Sequence, residues 1–446
     1  MNAAFRDCEG FHRRDFLRFG VGGLFGLSLP EILRLEAHAE TKPSNAGSKT
    51  RRAHAVIQVW LAGGPATIDM WDPKPNAPEG IRGEFKAIST KIPGAQVCEH
   101  LPHMAGLLDK VTVVRSLYHT IPSHGPATVF MTTGNKPTPA LEYPSLGSLV
   151  ARLLPAPSAV PPYVSFTQLR SGAAGNAGYL GPAYNPFIVE GGGGGRNGRP
   201  DLRVRDVSLP SGFSLQDLED RNRLLEKLDG NFASLDRSTA IVDGLDTFHR
   251  QALEILRSDK TMKAFDLSRE PTATREKYGQ TPFGLGALAA RRLVEAGVRY
   301  ITLSIGGWDT HARNFDTLSK RLLPQLDQTL SALVQDLGDR GMMENTIVYC
   351  AGEFGRTPKI NKGAGRDHWA RSMAVVLAGG GFKSGYIHGG TDLQGTAPVS
   401  EPCTPDDISS TIFHRLGIDP SQELTTSTGR PVTLFREGKL LEKLLA

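Results

Sequence analysis

Residues 346–369 read TIVYCAGEFGRTPKINKGAGRDHW. The first part, Thr346 to Cys350, is an apolar, β-branched run too short for a helix and bounded by Gly352. Such a run suits a buried strand of a parallel sheet. Glu353 and Arg356 follow at once, and a Gly/Lys-rich loop then closes on Arg366, Asp367, His368 and Trp369. Open α/β sheets bind ligands in the crevice beyond the carboxyl ends of their strands. Glu353 and His368 therefore stand where such a fold places its chemistry, and a carboxylate with an imidazole is the start of a metal site. Either residue taken alone is better read as a surface Glu or a loop His, so the argument rests on the pattern recurring.

It recurs twice upstream. His54 to Leu61 (HAVIQVWL) is a buried-strand candidate that ends at Gly63-Gly64 and is followed by Asp69 and Asp72. Arg299 to Ile305 is another; it stops at Gly306-Gly307 and leads straight into Trp308, Asp309, Thr310 and His311. Between them, the strand Val111 to Leu117 runs into HTIPSHGPATVFMTTGN, where Ser123 is placed to N-cap a helix that ends before Gly134. A helix N-terminus at the end of a strand is an anion-binding position. Further strands are expected at Tyr163 to Phe166, Ser372 to Ala378 and Tyr386 to Gly389, the last carrying His388. Helices are expected at Leu101 to Asp109, 143–154, Pro282 to Gly297, from about Asn314 to Arg340, at Asp406 to Leu416 and at Gly438 to Ala446. Strands alternating with helices predict an α/β fold, a mostly parallel sheet with helices on both faces. Residues 171–266 read as an insertion: glycine-rich to Pro200, with five glycines at 191–195, then helical periodicity with mixed charge from 214. The glycines lack the strand-to-helix setting of a dinucleotide fingerprint.

The chain has 446 residues with 39% apolar and 22% charged content, the balance of a globular protein. Its formal charge of +5 comes without a long Lys/Arg block or aromatic interleaving, which speaks against nucleic acid. Of four cysteines, Cys8 lies in a segment expected to be removed, and the remaining three imply no disulfide framework. That segment has an export layout: R-R-D-F-L-R at 13–18, a short Gly-rich apolar run, then Ala37-His38-Ala39 as a cleavage site. The twin arginines Arg13 and Arg14 resemble a twin-arginine (Tat) signal. The layout predicts a signal peptide over 1–39, a polar linker over 40–52, one domain over 53–446, and a mature protein in the periplasm or at the cell surface. No membrane span is expected in the mature chain, and the sequence says nothing of oligomeric state.

The ligand-type residues at strand ends are Asp69, Asp309, His311, Glu353 and His368, with Asp72, His124, Asp367 and His388 in reserve. Mixed carboxylate and imidazole donors suit zinc or manganese better than calcium. One or two such ions can clamp the oxygens of a phosphoryl or sulfuryl transfer. Arg356 and Arg366 are candidates to grip a substrate oxyanion.

The chain resembles the exported family catalogued as domain of unknown function 1501. The matching words are VWLAGGPATIDMWDPK (59–74), SHGPA (123–127), YG (278–279), RRLVEAGVRY (291–300), GGWDTH (306–311), GEFGRTP (352–358), GRDHW (365–369) and HGGTD (388–392). The resemblance implies kinship with the alkaline phosphatase/sulfatase superfamily, hence an alkaline-phosphatase-like three-layer sandwich with metals at the strand ends. Carried over by position, Asp69 resembles the early metal-binding acid, and Asp309 with His311 the acid–histidine pair of the other metal. Glu353 resembles the acid after a later strand, and His368 the late histidine.

Three departures stand out. The acid–histidine spacing is D-x-H rather than D-x-x-x-H. Phe354 occupies a position where the phosphatase branch has a histidine. His124 stands where sulfatases carry their modified cysteine nucleophile. Ser123 or Thr120, or water, is left as the attacking group, with His124 and Arg356 as further catalytic candidates. The expectation is an exported metal-dependent hydrolase of small or polymeric phosphate or sulfate esters. Its alternative is a binding protein that kept the fold without turnover.

Overall fold

The computed structural model describes residues 53–157, 160–167, 175–194, 200–204 and 258–446. The expected signal and linker, and most of the 171–266 insertion, lie outside the described residues. The main sheet is built from β1 (Ala55–Ala62), β2 (Thr112–Leu117), β3 (Tyr163–Ser165), β4 (Phe187–Gly194), β5 (Pro200–Val204), β6 (Tyr300–Gly306), β7 (Thr346–Ala351), β8 (Met373–Gly379) and β9 (Tyr386–His388). Their order is β9-β2-β8-β7-β1-β6-β3-β4-β5. The run β7-β1-β6-β3-β4 is parallel throughout. β8 is antiparallel to both β7 and β2, β9 is parallel to β2, and β5 is antiparallel to β4.

Strand period decides which side chain serves which face. On β1, Ile57, Val59 and Leu61 join Leu288, Leu293, Leu326 and Leu330 in one apolar cluster. Val56 and Trp60 point the other way, into a cluster with Leu146, Leu149, Ile412 and Phe413. Both faces are therefore covered, which is why the strand sequences read as continuous apolar runs. The covering helices are α1 (His124–Thr133), α2 (Leu146–Leu153), α3 (Pro282–Ala296), α4 (Leu323–Asp339) and α5 (Pro405–Arg415). Asn314–Thr317 and a π-helical turn, Leu318–Leu322, lead into α4. The α/β three-layer architecture follows the sequence expectation. Among the described residues, no helix is long and apolar enough to cross a membrane.

Register places the site. Ala62 pairs with Gly306 and Trp60 with Ala351, so β1, β6 and β7 end at one rim. Met373, the start of antiparallel β8, pairs with Leu117, the end of β2. The segment just before β8, which carries His368, and the segment just after β2, which carries His124, thus meet at that same rim.

Some boundaries differ from expectation. The helix expected at Leu101 to Asp109 is one turn, Pro102–Ala105, then a 3-10 turn, Leu108–Lys110, with Gly106 between them. The expected C-terminal helix is only the 3-10 turn Glu442–Leu444. Nine residues are too few for a helix to propagate without tertiary support, and Leu445 is instead bridged to Phe382. Four of the five glycines at 191–195 lie at the end of β4.

Candidate metal centre

After β1 the chain turns at Gly63, whose φ of 121° lies in the left-handed region. A Cβ there would sit 2.4 Å from the Asp309 nitrogen. Glycine thus lets the loop after β6 close onto the loop after β1. The Trp308 N–H donates to the Ala62 carbonyl at 3.2 Å and fixes that approach.

Asp309 is the hub. Its Oδ1 lies 3.1 Å from His311 Nε2 and 3.2 Å from His368 Nε2, and its Oδ2 lies 3.2 Å from His124 Nε2. Each imidazole is oriented from behind through its other nitrogen. His124 Nδ1 meets Glu353 Oε1 at 2.6 Å, His311 Nδ1 meets Asp367 Oδ1 at 2.7 Å, and His368 Nδ1 meets the Pro122 carbonyl at 2.9 Å. A carboxylate or carbonyl can only accept, so all three Nδ1 atoms carry the proton. In the neutral rings all three Nε2 atoms are then bare lone pairs facing one carboxylate. His311 Nε2 and His368 Nε2 are moreover only 3.0 Å apart. His124 Nε2 is buried without a hydrogen-bond partner despite its nearness to Asp309. Lone pairs crowded in this way repel unless a cation or extra protons lie among them. The donor atoms of His124, Asp309 and His368 fall within 4.8 Å of one another. An imidazole-rich set with outer carboxylates behind the rings is the chemistry of a zinc-type site.

The second row is tightly built. Glu353 is buried, and both its oxygens accept the Gly63 N–H, at 2.9 and 3.1 Å. His119 Nε2 donates to the Glu353 carbonyl at 2.8 Å, while its Nδ1 accepts the Ile121 N–H at 3.1 Å. Burial pushes the His119 imidazole below its usual pKa, consistent with that neutral, bridging role. Burial alone would raise the Asp309 carboxyl, but the Arg356 guanidinium 2.5 Å away and the neighbouring imidazoles pull it down to about 2. The hydrogen bond to Glu353 raises His124 above the ordinary imidazole range.

The residues named from sequence divide. Asp309, His311 and His368 come together, and His124 joins them as a fourth donor rather than as a nucleophile's substitute. Glu353 stands behind His124 and is not presented to the cluster. Asp69 is elsewhere: Arg366 clasps it with Nε to Oδ2 at 2.7 Å and Nη2 to Oδ1 at 2.8 Å, and Asn314 adds a bond at 2.8 Å. Asp72 accepts from Lys74 and Thr391, and His388 is buried beside Tyr386. Arg356 is no substrate grip, because its guanidinium is buried against the carbonyls of Gly63, Gly64 and Arg366 and against Asp309. Arg366 is likewise closed.

Ser123 is the N-cap residue of α1 by backbone conformation, yet its side chain makes no cap bond and is exposed beside His124. Phe354 is fully buried with its ring centroid 4.5 Å from that of His368 and 4.9 Å from that of His124. It fills space that a further ligand would need. His119 was not singled out from sequence; its only signal was lying five residues before His124 in a strand-end loop.

The model of a family described as "Protein of unknown function (DUF1501)" matches residues 53–445. No curated protein matches the chain in sequence. Among solved structures, the chain is similar to the PsFucS1 sulfatase from Pseudoalteromonas sp., at 12% identity and a TM-score of 0.37, covering 86% of this chain and 72% of that one. It is also similar to a phosphonate monoester hydrolase from Silicibacter pomeroyi, at 10% identity and a TM-score of 0.35, covering 88% and 76%. The TAB5 alkaline phosphatase gives 12% identity and a TM-score of 0.36, covering 83% and 100%.

Proposed function

The chain belongs to the DUF1501 family, and we propose that this member is an exported metal-dependent hydrolase of phosphate or sulfate esters. One observation carries the reading: three imidazole Nε2 atoms converge on the Asp309 carboxylate, each ring pinned through Nδ1 by an acceptor. His124, Asp309, His311 and His368 are the residues that would hold the ion, and their nitrogen-rich set favours zinc, then manganese. A divalent cation there supplies Lewis acidity toward a phosphoryl or sulfuryl oxygen.

The chain's own groups do the rest. Glu353, Asp367 and the Pro122 carbonyl fix the ring orientations, and Arg356 keeps Asp309 ionised and in place. Ser123, exposed next to His124 at the N-terminus of α1, is the hydroxyl placed to attack or to position water. The Arg366 guanidinium already supplies the positive charge beside Asp69, which favours a single ion. The twin arginines at 13–14 support export.

The test is a panel of aryl phosphate, phosphodiester and sulfate esters assayed on the purified mature chain with zinc or manganese. Metal-dependent turnover that falls in His368→Ala is expected. Metal binding without turnover across the panel would instead favour a binding protein on this fold. Replacing Arg13 and Arg14 with Lys is expected to hold the protein in the cytoplasm, and continued export would remove that part of the proposal.

A further inference from the structure

We propose that Arg321 is the residue that grips the oxyanion of the substrate beside this centre, an inference that rests on the reading of the centre as a hydrolytic site. Arg356 and Arg366, the arginines nearest the cluster in sequence motif, are both buried and fully engaged. Arg321 is exposed, and among the described residues its side chain makes no hydrogen bond or ion pair. It projects from the π-helical turn Leu318–Leu322. Such turns break the regular spacing of a helix and recur at functional sites.

The guanidinium lies against Gly307. A Cβ at that glycine would be 2.5 Å from Nη2, 3.2 Å from Nη1 and 3.3 Å from Cζ. Gly307 has φ of 100° and is exposed, and a Cβ at its neighbour Gly306 would meet nothing within 4 Å. The side chain is therefore seated on backbone at the end of β6, beside open space. Nη2 is at most about 4 Å from the Gly307 Cα, and two Cα steps of about 3.8 Å lead on to Asp309, so the fork lies within about 12 Å of the Asp309 Cα. A planar fork of N–H donors with no partner among the described residues, on the rim that carries the metal ligands, suits bidentate binding of a tetrahedral oxyanion, phosphate or sulfate. The φ of 100° favours glycine at 307, and a side chain there would push the fork aside.

The test is calorimetric titration of the full mature chain with inorganic phosphate and, separately, inorganic sulfate, with metal content measured on the same samples. Arg321→Ala is expected to weaken binding of the preferred anion about tenfold or more, with metal content and melting temperature unchanged. Arg321→Lys should recover part of the loss, as a point charge without the fork. If Arg321→Ala binds both anions as tightly as the wild type while His368→Ala loses metal, the role given to Arg321 is wrong and the metal centre stands. A wild-type chain that holds metal but binds neither anion also overturns it. A wild-type chain without metal removes the underlying reading as well.

Discussion

Asp69 and Asp309 follow neighbouring parallel strands at one rim, and they end in opposite states. Asp69 is buried and clasped on both oxygens by Arg366, with Asn314 completing it. Asp309 is about a third exposed, meets a single guanidinium nitrogen, and turns its remaining lone pairs to three imidazoles. A bidentate arginine closes a carboxylate into structure; imidazoles whose protons are held elsewhere leave one open to a cation. Two acids with the same address on the sheet therefore differ in chemistry because of what reaches them, not where they sit.

The largest effect should come from breaking the closed pair. Arg366→Ala leaves the Asp69 carboxylate buried and alone, and a broken buried pair costs about 3–5 kcal/mol. Urea unfolding should show that loss. An unchanged midpoint would mean that Asp69 is not held as described. On the open side, Asp309→Asn should lower metal affinity by more than the about 10–100-fold that loss of an outer partner causes, read by competition with a chromophoric chelator. Asp367→Asn, which only orients His311, should lie near the bottom of that range, because its carboxylate is exposed. A drop as large as that of Asp309→Asn would make Asp367 a ligand.

The smallest effect concerns His119. Its imidazole pKa is lowered in the folded state by burial, so the neutral form is favoured there. Its contribution to stability is complete above the unfolded value of about 6.5 and is lost as pH falls through the folded value. In metal-free protein, wild type should lose stability more steeply than His119→Gln as pH drops below about 6.5. Parallel curves would show that His119 does not hold Glu353 as a neutral bridge.

Much of the sheet was legible. Short β-branched runs ending in glycine, such as 55–62 and 346–351, have few alternatives once helices of the right length separate them. The presence of acids and histidines at the rim followed from the same runs. Which acid is open did not. Arg366 reaches Asp69 across 297 positions, and nothing in the spacing of either residue distinguishes a clasping arginine from a substrate-binding one. Glu353 looked like a ligand because it follows a strand directly, yet the Gly63 N–H and His124 claim its oxygens. His124 itself was visible as a departure from the sulfatase pattern. Its place as a fourth donor depended on the antiparallel course of β8, which brings His368 to the same rim.

The most direct measurement is the metal content of the purified protein and of its Asp309→Asn and His368→Ala variants by elemental analysis. The proposed centre predicts about one divalent metal ion per chain, lost in both variants. A wild-type protein without bound metal, or variants that retain it in full, would contradict a cation held among His124, Asp309, His311 and His368.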